Sequence, residues 1–280
     1  MDSDVRGVTW PVRSVLLECG SCAYQTSVIA GTIFQDTRKP LALWFRMMWW
    51  VTSQKNGASA LGLQRALGLG SYKTAWTWLH KLRRAMVRPG RERLRGGVEV
   101  DETYVGGLEE GVRGRQTEKK ALVVVAAEED GGGMGRIRMR QIPDATAESL
   151  MAFIQESIEP GSLVHTDGWA GYDGLESKGY HHRVTVLRHR KESASELLPR
   201  VHKIASLLKK WLLGTHQGAV SREHLDYYLD EFTFRFNRRT SRSRGKLFYR
   251  LVQQAVAADP VPYKAMVKCF APDTILDHNR

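Results

Sequence analysis

The sequence predicts an α/β protein in which a mixed sheet is flanked by helices and preceded by a small helical domain. Three observations support this fold class. Apolar side chains have helical spacing from about residue 41, the spacing changes to the two-residue period of strands near residue 98, and helical spacing returns near residue 201. With 280 residues, 42% of them hydrophobic, the chain can bury a substantial core, which excludes disorder as the main description.

Residues 1–40 are predicted to be irregular. The chain has only three cysteines, which excludes a disulfide scaffold and is typical of a reducing cytosol. Two of them, Cys19 and Cys22, have the spacing of half a zinc site. The N-terminus lacks the order of a signal peptide, and the most apolar run, Leu41 to Thr52, is too short to span a bilayer. We therefore expect a soluble intracellular protein.

Residues 41–96 are predicted to form a helix-turn-helix region that binds DNA. A buried helix from Leu41 to Gln54 precedes a helix capped by Ser59 and a third helix, Tyr72 to Met86, capped by Ser71. The glycine-rich turn at residues 68–70 separates the last two helices. The first turns of a recognition helix reach base edges, and later cations reach phosphates. The expected base contacts are Tyr72, Lys73, Thr74 and Trp78, the expected phosphate contacts are Lys81, Arg83 and Arg84, and the alternative is a packed helical bundle.

Residues 97–240 are predicted to form the sheet domain. Strands are expected at residues 98–105, 121–127, 136–141, 162–166 and 183–187, because these runs alternate or are continuously apolar. Helices are expected at residues 146–158, 201–213 and 221–236 from apolar spacing. Residues 241–280 continue the basic run that begins at Arg238, and we interpret them as a basic C-terminal tail.

The charge is unevenly distributed along the chain. The net charge is +12, which indicates an anionic partner such as nucleic acid. Residues 1–97 have a net charge of +10, residues 98–180 of −8 and residues 181–280 of +10. Clustered carboxylates between two basic regions are what a divalent metal centre needs, although a solvated acidic strand edge is the alternative.

Two aspartates belong to predicted strands: Asp101 lies inside the first strand of the sheet domain, and Asp167 closes a later strand, where α/β folds place their sites. Asp101 lies in the string VDETYVGG, and Asp167 lies in HTDGWAGY. From physical chemistry alone, each aspartate is a turn former or a metal ligand. Glu102 points to the opposite face of the strand from Asp101, so we assign it a structural role.

These two strings, together with HLDYYLDEFTFRFNRR near the end of the chain, resemble the bacterial insertion-sequence transposases of the DDE superfamily, in the ISXO-type branch. The resemblance runs from about Cys19 to about residue 250. It implies a ribonuclease H-like fold in which Asp101 and Asp167 bind the catalytic metals. The family normally carries a second cysteine pair upstream, so we interpret residues 1–40 as the remnant of a zinc-ribbon-like segment and expect no Zn²⁺ site.

The same resemblance implies a third ligand on a downstream helix, followed seven positions later by lysine. His202 and Lys209 have this spacing, and both would project from one helix face. His202 is therefore the expected third ligand, with Glu192, Glu196 and Glu231 as acidic alternatives. Carboxylates suit both Mg²⁺ and Mn²⁺, whereas an imidazole ligand suits Mn²⁺ better than Mg²⁺. The expected cofactor is therefore Mg²⁺ or Mn²⁺.

The resemblance implies that the protein cleaves DNA strands at the ends of an insertion sequence and then joins the freed 3′-hydroxyl to target DNA. Lys209, Arg238 and Arg239 are expected to contact the DNA backbone. The expected partners are double-stranded terminal inverted repeats, target DNA and further copies of the chain, in a nucleoid-associated cytoplasmic setting. The alternatives are a decayed transposase or a transposase-derived repressor, either of which binds DNA without cleaving it, and a nuclease that does not join strands.

Overall fold

A computed structural model describes residues 16–88, 90–106, 120–186, 194–218 and 220–268. The described residues divide into two compact units. The first, here called the helical unit, contains the chain up to residue 53, residues 60–86 and the chain from residue 244. The second, the sheet unit, contains residues 54–59 and 87–243.

The helical unit begins with a short antiparallel hairpin, in a segment that the sequence predicted to be irregular. Its strands are β1 (Leu16–Glu18) and β2 (Gln25–Ser27), and Cys19 and Cys22 lie in the connecting turn. Three helices follow, as predicted: α1 (Leu41–Ser53), α2 (Ala60–Leu67) and α3 (Tyr72–Ala85).

The core of the helical unit is aromatic where α1 meets α3. The rings of Trp44 and Trp78 stack with centroids 3.9 Å apart, and Trp78 is buried. Arg83 is only 1% exposed. The predictions that Trp78 contacts bases and Arg83 contacts phosphates are therefore wrong for this arrangement, because both side chains lie on the face of α3 that packs inward, with Leu79 and Leu82.

The sheet unit contains a five-stranded mixed sheet with the order β5-β4-β3-β6-β7. Strand β4 pairs antiparallel with β3 and β5, whereas β3, β6 and β7 are parallel. This is the ribonuclease H-like arrangement, so the predicted fold class is confirmed. The strands are β3 (Gly97–Val105), β4 (Ala121–Asp130), β5 (Gly133–Ile142), β6 (Leu163–Asp167) and β7 (His181–Thr185).

Helices cover both faces of this sheet. The helices are α4 (Ala147–Ser157), α5 (Ala194–Leu197), α6 (Pro199–His216) and α7 (Leu225–Phe236). On one face Val98, Val100 and Val124 pack with Phe153 and Ile154 of α4. On the other face Val123 and Val125 pack with Ile204, Leu208 and Phe232 of α6 and α7. Strand β4 is therefore buried on both faces, as its continuous apolar run predicted.

Helix α7 also covers the free edge of β5. The backbone N–H of Gln141 donates to Asp226 (3.0 Å), and that of Ile137 donates to the side-chain oxygen of Asn237 (2.7 Å). The amide nitrogen of Asn237 returns a bond to the carbonyl of Ile137 (3.1 Å). Side chains thus satisfy edge groups that would otherwise pair with another chain.

The chain after residue 243 differs from the predicted basic tail. Helices α8 (Arg244–Ala257) and α9 (Tyr263–Lys268) belong to the helical unit. Helix α8 packs against α1 and α3, because Leu247, Leu251 and Ala255 form a buried apolar face at helical spacing. Of the helices in the described parts of the chain, none has the length and apolar character needed to cross a membrane.

Candidate active site

Asp101 and Asp167 lie on adjacent parallel strands of the sheet unit. The register pairs Glu99 with His165, and two residues further along each strand stand Asp101 and Asp167. Alternation places both aspartates on the face that carries α6 and α7. The two carboxylates that the sequence singled out are therefore neighbours on one surface.

The carboxyl group of Asp101 has a strongly raised pKa of about 7. Burial is the largest cause, and the negative charges of Glu102 and Asp167 add to it. The backbone N–H of Glu102 donates to Oδ1 of Asp101 (2.8 Å) and opposes the shift only in part. Because the ionised form is disfavoured, this position accommodates a proton or a cation.

His202, in the first turns of α6, stands over this pair. Its Nε2 lies 3.5 Å from Oδ2 of Asp101. This nitrogen is buried and makes no hydrogen bond with any residue that the structure describes. Burial, helped by the charge of Lys209, lowers the pKa of His202, so the ring is neutral near pH 7. A neutral imidazole is the form that binds metal ions.

Glu99 fixes the beginning of α6 against β3, and the sequence analysis missed it. Its carboxylate accepts hydrogen bonds from the backbone N–H groups of Arg200 (2.7 Å) and Val201 (3.1 Å). It also accepts one from the guanidinium of Arg200 (2.7 Å). The signal available in the sequence was an acidic residue at an inward position of a strand, two residues before Asp101.

Lys209 is exposed on α6, seven residues after His202. Partial desolvation, together with the nearby charge of Lys120, lowers the pKa of its ammonium group. Of the acidic alternatives for the third ligand, Glu196 is exposed on the short helix α5, and Glu192 lies outside the described residues. Glu231 is fully buried and is hydrogen-bonded to Arg235 (2.8 Å).

The opposite face of β3 holds Glu102, as strand alternation predicted. The hydroxyl of Tyr172 donates to Glu102 (2.8 Å) from the turn that follows β6. Burial and the charge of Glu102 raise the pKa of this tyrosine well above its usual value. The backbone N–H of Trp169 donates to Oδ1 of Asp167 (3.0 Å). These bonds tie the turn after β6 to the two strands that carry the aspartates.

The donor chemistry of Asp101, Asp167 and His202 fits a divalent cation. Two carboxylates and a neutral imidazole are ligands for Mn²⁺ and, through the oxygens, for Mg²⁺. The buried Nε2 of His202, which lacks a hydrogen bond within the described structure, is the observation that supports this fit. Among the described residues, no three His, Cys, Asp or Glu side chains already converge on one metal position. The side chains would therefore have to adjust on binding.

The hairpin between β1 and β2 presents two free thiols. The pKa of Cys19 is lowered to about 6, first by the Ser21 hydroxyl and then by the backbone N–H groups of Ser21 and Cys22. Cys22 is exposed. A thiolate in such a turn can bind a metal, but two thiolates are half of a structural zinc site.

The first turns of α3 expose two of the residues predicted to read DNA. Tyr72 and Lys73 are exposed, and Thr74 is half-buried. The ammonium of Lys73 lies 4.0 Å from the ring centre of Tyr263, on α9. Arg84 is exposed in the last turn, where a phosphate contact remains a prediction.

Arg238 and Arg239 have structural contacts that the sequence did not predict. The guanidinium of Arg239 donates to the carbonyls of Met134 and Gly135 at the start of β5. Arg238 lies over the ring of Phe234, 4.1 Å from its centre. Because β5 begins beside the end of β4 and β4 runs antiparallel to β3, these arginines lie toward the end of the sheet at which β3 begins, whereas Asp101 is in the middle of that strand.

The strand order, the paired carboxylates and the helix above them define a ribonuclease H-like domain with an acidic site. Comparison with known families gives a match to the ISXO2-like transposase domain over residues 93–237, just over half of the chain. The chain belongs to this transposase family, which confirms the resemblance that its motifs indicated.

Individual known proteins are similar to parts of this chain. A protein of Haemophilus influenzae described as an uncharacterized transposase-like protein is 26% identical over 113 residues, 40% of this chain and 89% of that protein. The catalytic core domain of BIV integrase matches at a TM-score of 0.34 and 16% identity, over 56% of this chain and 95% of that one. The Mos1 transposase paired-end complex matches at a TM-score of 0.32 and 14% identity, over 78% of this chain and 80% of that one.

Proposed function

We propose that this protein is a metal-dependent DNA transposase of an insertion sequence. It cleaves a strand at each end of its own element and then joins the freed 3′-hydroxyl to target DNA. The observation that carries the proposal is the pair of neighbouring carboxylates, Asp101 and Asp167, of which Asp101 has a pKa near 7. Such a pair is destabilised when ionised, unless a cation is bound between them.

Asp101 and Asp167 would hold Mg²⁺ or Mn²⁺, and His202 would supply a third donor through Nε2. Bound divalent ions supply a lowered pKa for the attacking water or hydroxyl and stabilisation of the leaving oxygen. In cleavage the water oxygen bonds to the scissile phosphorus while the bond to the 3′-oxygen breaks. In joining, the 3′-hydroxyl attacks a target phosphorus in the same way. The protein forms no covalent bond to DNA.

Tyr104 is the residue that a covalent mechanism would use, since it is on the same strand as Asp101. Its side chain packs against the cluster on the α4 face of the sheet. Asp101 belongs to the other face, which supports a mechanism without a tyrosine nucleophile.

The same helix that carries His202 supports a contact with DNA. Lys209 lies about two turns along α6 and is exposed, so its ammonium group can meet a phosphate beside the acidic pair. Its lowered pKa reflects burial and the nearby Lys120, and an adjacent phosphate would favour its charged form.

The helical unit would recognise the element ends. Tyr72 and Lys73 are exposed in the first turn of α3, the part of a recognition helix that enters the major groove. The terminal inverted repeats and the target are double-stranded, and paired ends require at least two copies of the chain. Because its partners are DNA, the protein would act in the cytoplasm, at the nucleoid.

The decisive experiment incubates purified protein with DNA carrying element ends, in Mg²⁺, in Mn²⁺ and in EDTA. We expect nicking and joining only with a divalent ion, and DNA binding in all three conditions. Asp101→Ala and Asp167→Ala should lose both reactions but retain binding. Glu156→Gln, on the opposite sheet face at α4, is the matched control and should behave as the parent protein. Nicking that survives in EDTA, or in either aspartate variant, contradicts the proposal.

A second candidate is a DNA-binding protein that no longer cleaves. The observation that favours it is the lack, among the described residues, of three donors already gathered at one point. Binding without nicking in either metal would establish this candidate. Nicking without joining would instead identify a nuclease on the same fold.

A further inference from the structure

Glu99 is a buried carboxylate on the same face of β3 as Asp101. Its side chain is 4% exposed, and three donors surround it. A carboxylate buried this deeply costs free energy unless its oxygens are fully paired. Two of its three donors are backbone N–H groups at the start of α6, and the third is the guanidinium of Arg200.

Helix α6 has no cap of its own. The residue before its first turn is Leu198, which makes no side-chain capping bond, and Pro199 follows. The free N–H groups of a helix start need acceptors and favour a negative charge. Glu99 supplies both from a strand about 100 residues earlier. These bonds therefore hold the first turn of α6 against β3.

The position of that crossing determines the position of His202. Glu99 binds Val201, and the next residue, His202, places Nε2 3.5 Å from Asp101. On the strand, Asp101 is two residues beyond Glu99, about 6.6 Å along the sheet. Glu99 and Asp101 thus contact Val201 and His202, which are adjacent residues of α6.

We propose that Glu99 is a positioning residue for the catalytic site: its bonds to the start of α6 hold His202 over Asp101. This inference rests on the proposed function. Glu99 itself touches neither DNA nor the reacting atoms. Its role is more than anchoring α6 to the sheet. A small shift of Val201 relative to Glu99 would also change the distance between His202 and the acidic pair.

A matched set of variants tests this role. Glu99→Gln keeps the size of the side chain but places an amide N–H among donors, and Glu99→Asp keeps the charge on a shorter stem. Glu129→Gln is the control, because Glu129 pairs with the guanidinium of the same Arg200 (2.6 Å), whereas the backbone N–H groups of Arg200 and Val201 donate to Glu99. It also removes one negative charge, which controls for charge alone.

Two measurements separate positioning from stability. Mn²⁺ binding by the full chain without DNA is measured by calorimetry, and nicking is measured as kcat and KM for element-end DNA. We expect Glu99→Gln to weaken Mn²⁺ binding by about tenfold or more and to lower kcat by a similar factor, with KM unchanged. Glu99→Asp should recover part of both losses, and Glu129→Gln should match the parent protein. Thermal melting establishes that each variant is folded at the assay temperature.

The outcomes are distinct. A folded Glu99→Gln variant whose Mn²⁺ affinity and kcat lie within twofold of the parent overturns the positioning role, and so does an equal loss in Glu129→Gln. If Glu99→Gln does not fold, Glu99→Asp decides by the same two measurements. If Asp101→Ala nicks DNA as well as the parent protein does, the proposed function fails instead, and Mn²⁺ binding alone then decides the role of Glu99.

Discussion

Nε2 of His202 lies 3.5 Å from Oδ2 of Asp101, although 100 residues separate them in the chain. The imidazole is neutral because burial lowers its pKa, and the carboxyl group is largely protonated below pH 7 because burial and two nearby carboxylates raise its pKa. When the Asp101 carboxyl group loses its proton, its carboxylate and the neutral imidazole of His202 together offer two ligands to a cation. The predictions below follow from this relationship and from the contacts around it.

The stability of the protein should depend on the charge of Asp101. Its pKa of about 7 in the folded state lies above the ordinary value of 3.8, so the folded protein binds more protons than the unfolded chain between those values. Stability therefore falls as pH rises from about 4 to about 7, by on the order of 2–4 kcal/mol. Asp101→Asn should remove this fall and melt at a higher temperature than the parent at pH 8 in EDTA.

Melting curves against pH test this directly. Asp173→Asn, which changes an exposed carboxylate, is the control and should leave the pH profile unchanged. Added Mn²⁺ should stabilise the parent protein at pH 8 and have no such effect on Asp101→Asn. Equal pH profiles for the parent and Asp101→Asn would show that the carboxyl group is not desolvated.

The identity of residue 202 should set the metal preference. His202→Glu replaces an imidazole with a harder oxygen ligand, so the ratio of nicking rates in Mg²⁺ and Mn²⁺ should rise. His202→Ala should lower nicking about a hundredfold in both ions. The exposed His181, on β7, provides the control substitution His181→Ala. An unchanged ratio in His202→Glu would remove His202 from the ligand set.

The neighbouring residues Arg83 and Arg84 on α3 should contribute to different properties, stability and DNA binding respectively. Arg84 is exposed, so Arg84→Ala should weaken DNA binding for all sequences and lower the slope of log K against log salt by about one. Arg83 is 1% exposed, so Arg83→Ala should instead lower the melting temperature. Fluorescence anisotropy at several salt concentrations and thermal melting measure the two effects. A salt slope that changes in Arg83→Ala but not in Arg84→Ala would reverse the assignment.

Gly57 should tolerate no side chain. Its φ is +83°, and a Cβ atom there would lie 2.8 Å from Oε1 of the buried Glu231. Gly57→Ala should lower the free energy of unfolding by about 1–3 kcal/mol. Gly174→Ala is the control, because a Cβ atom at Gly174 meets open space. Urea unfolding measures both, and equal midpoints would contradict the expected strain.

Local patterns of apolar residues predicted most of the helices and strands. Apolar spacing placed α1, α2, α3 and the strands of the sheet within a few residues, because each pattern reflects the period of its own element. The segment after residue 243 was misread, since its charge obscured the apolar face of α8. The hairpin around Cys19 was also missed, because strands of three residues leave too short a pattern.

The sequence by itself determined the family, because the motifs that carry it are contiguous, and strand alternation predicted that Asp101 and Glu102 face opposite sides of the sheet. Only the tertiary structure decided the capping of α6 by Glu99, the burial of Arg83 and the pKa of Asp101. Each of these depends on which surfaces meet across long sequence separations. Burial and pairing are properties of the packed chain, so no local pattern of residues could specify them.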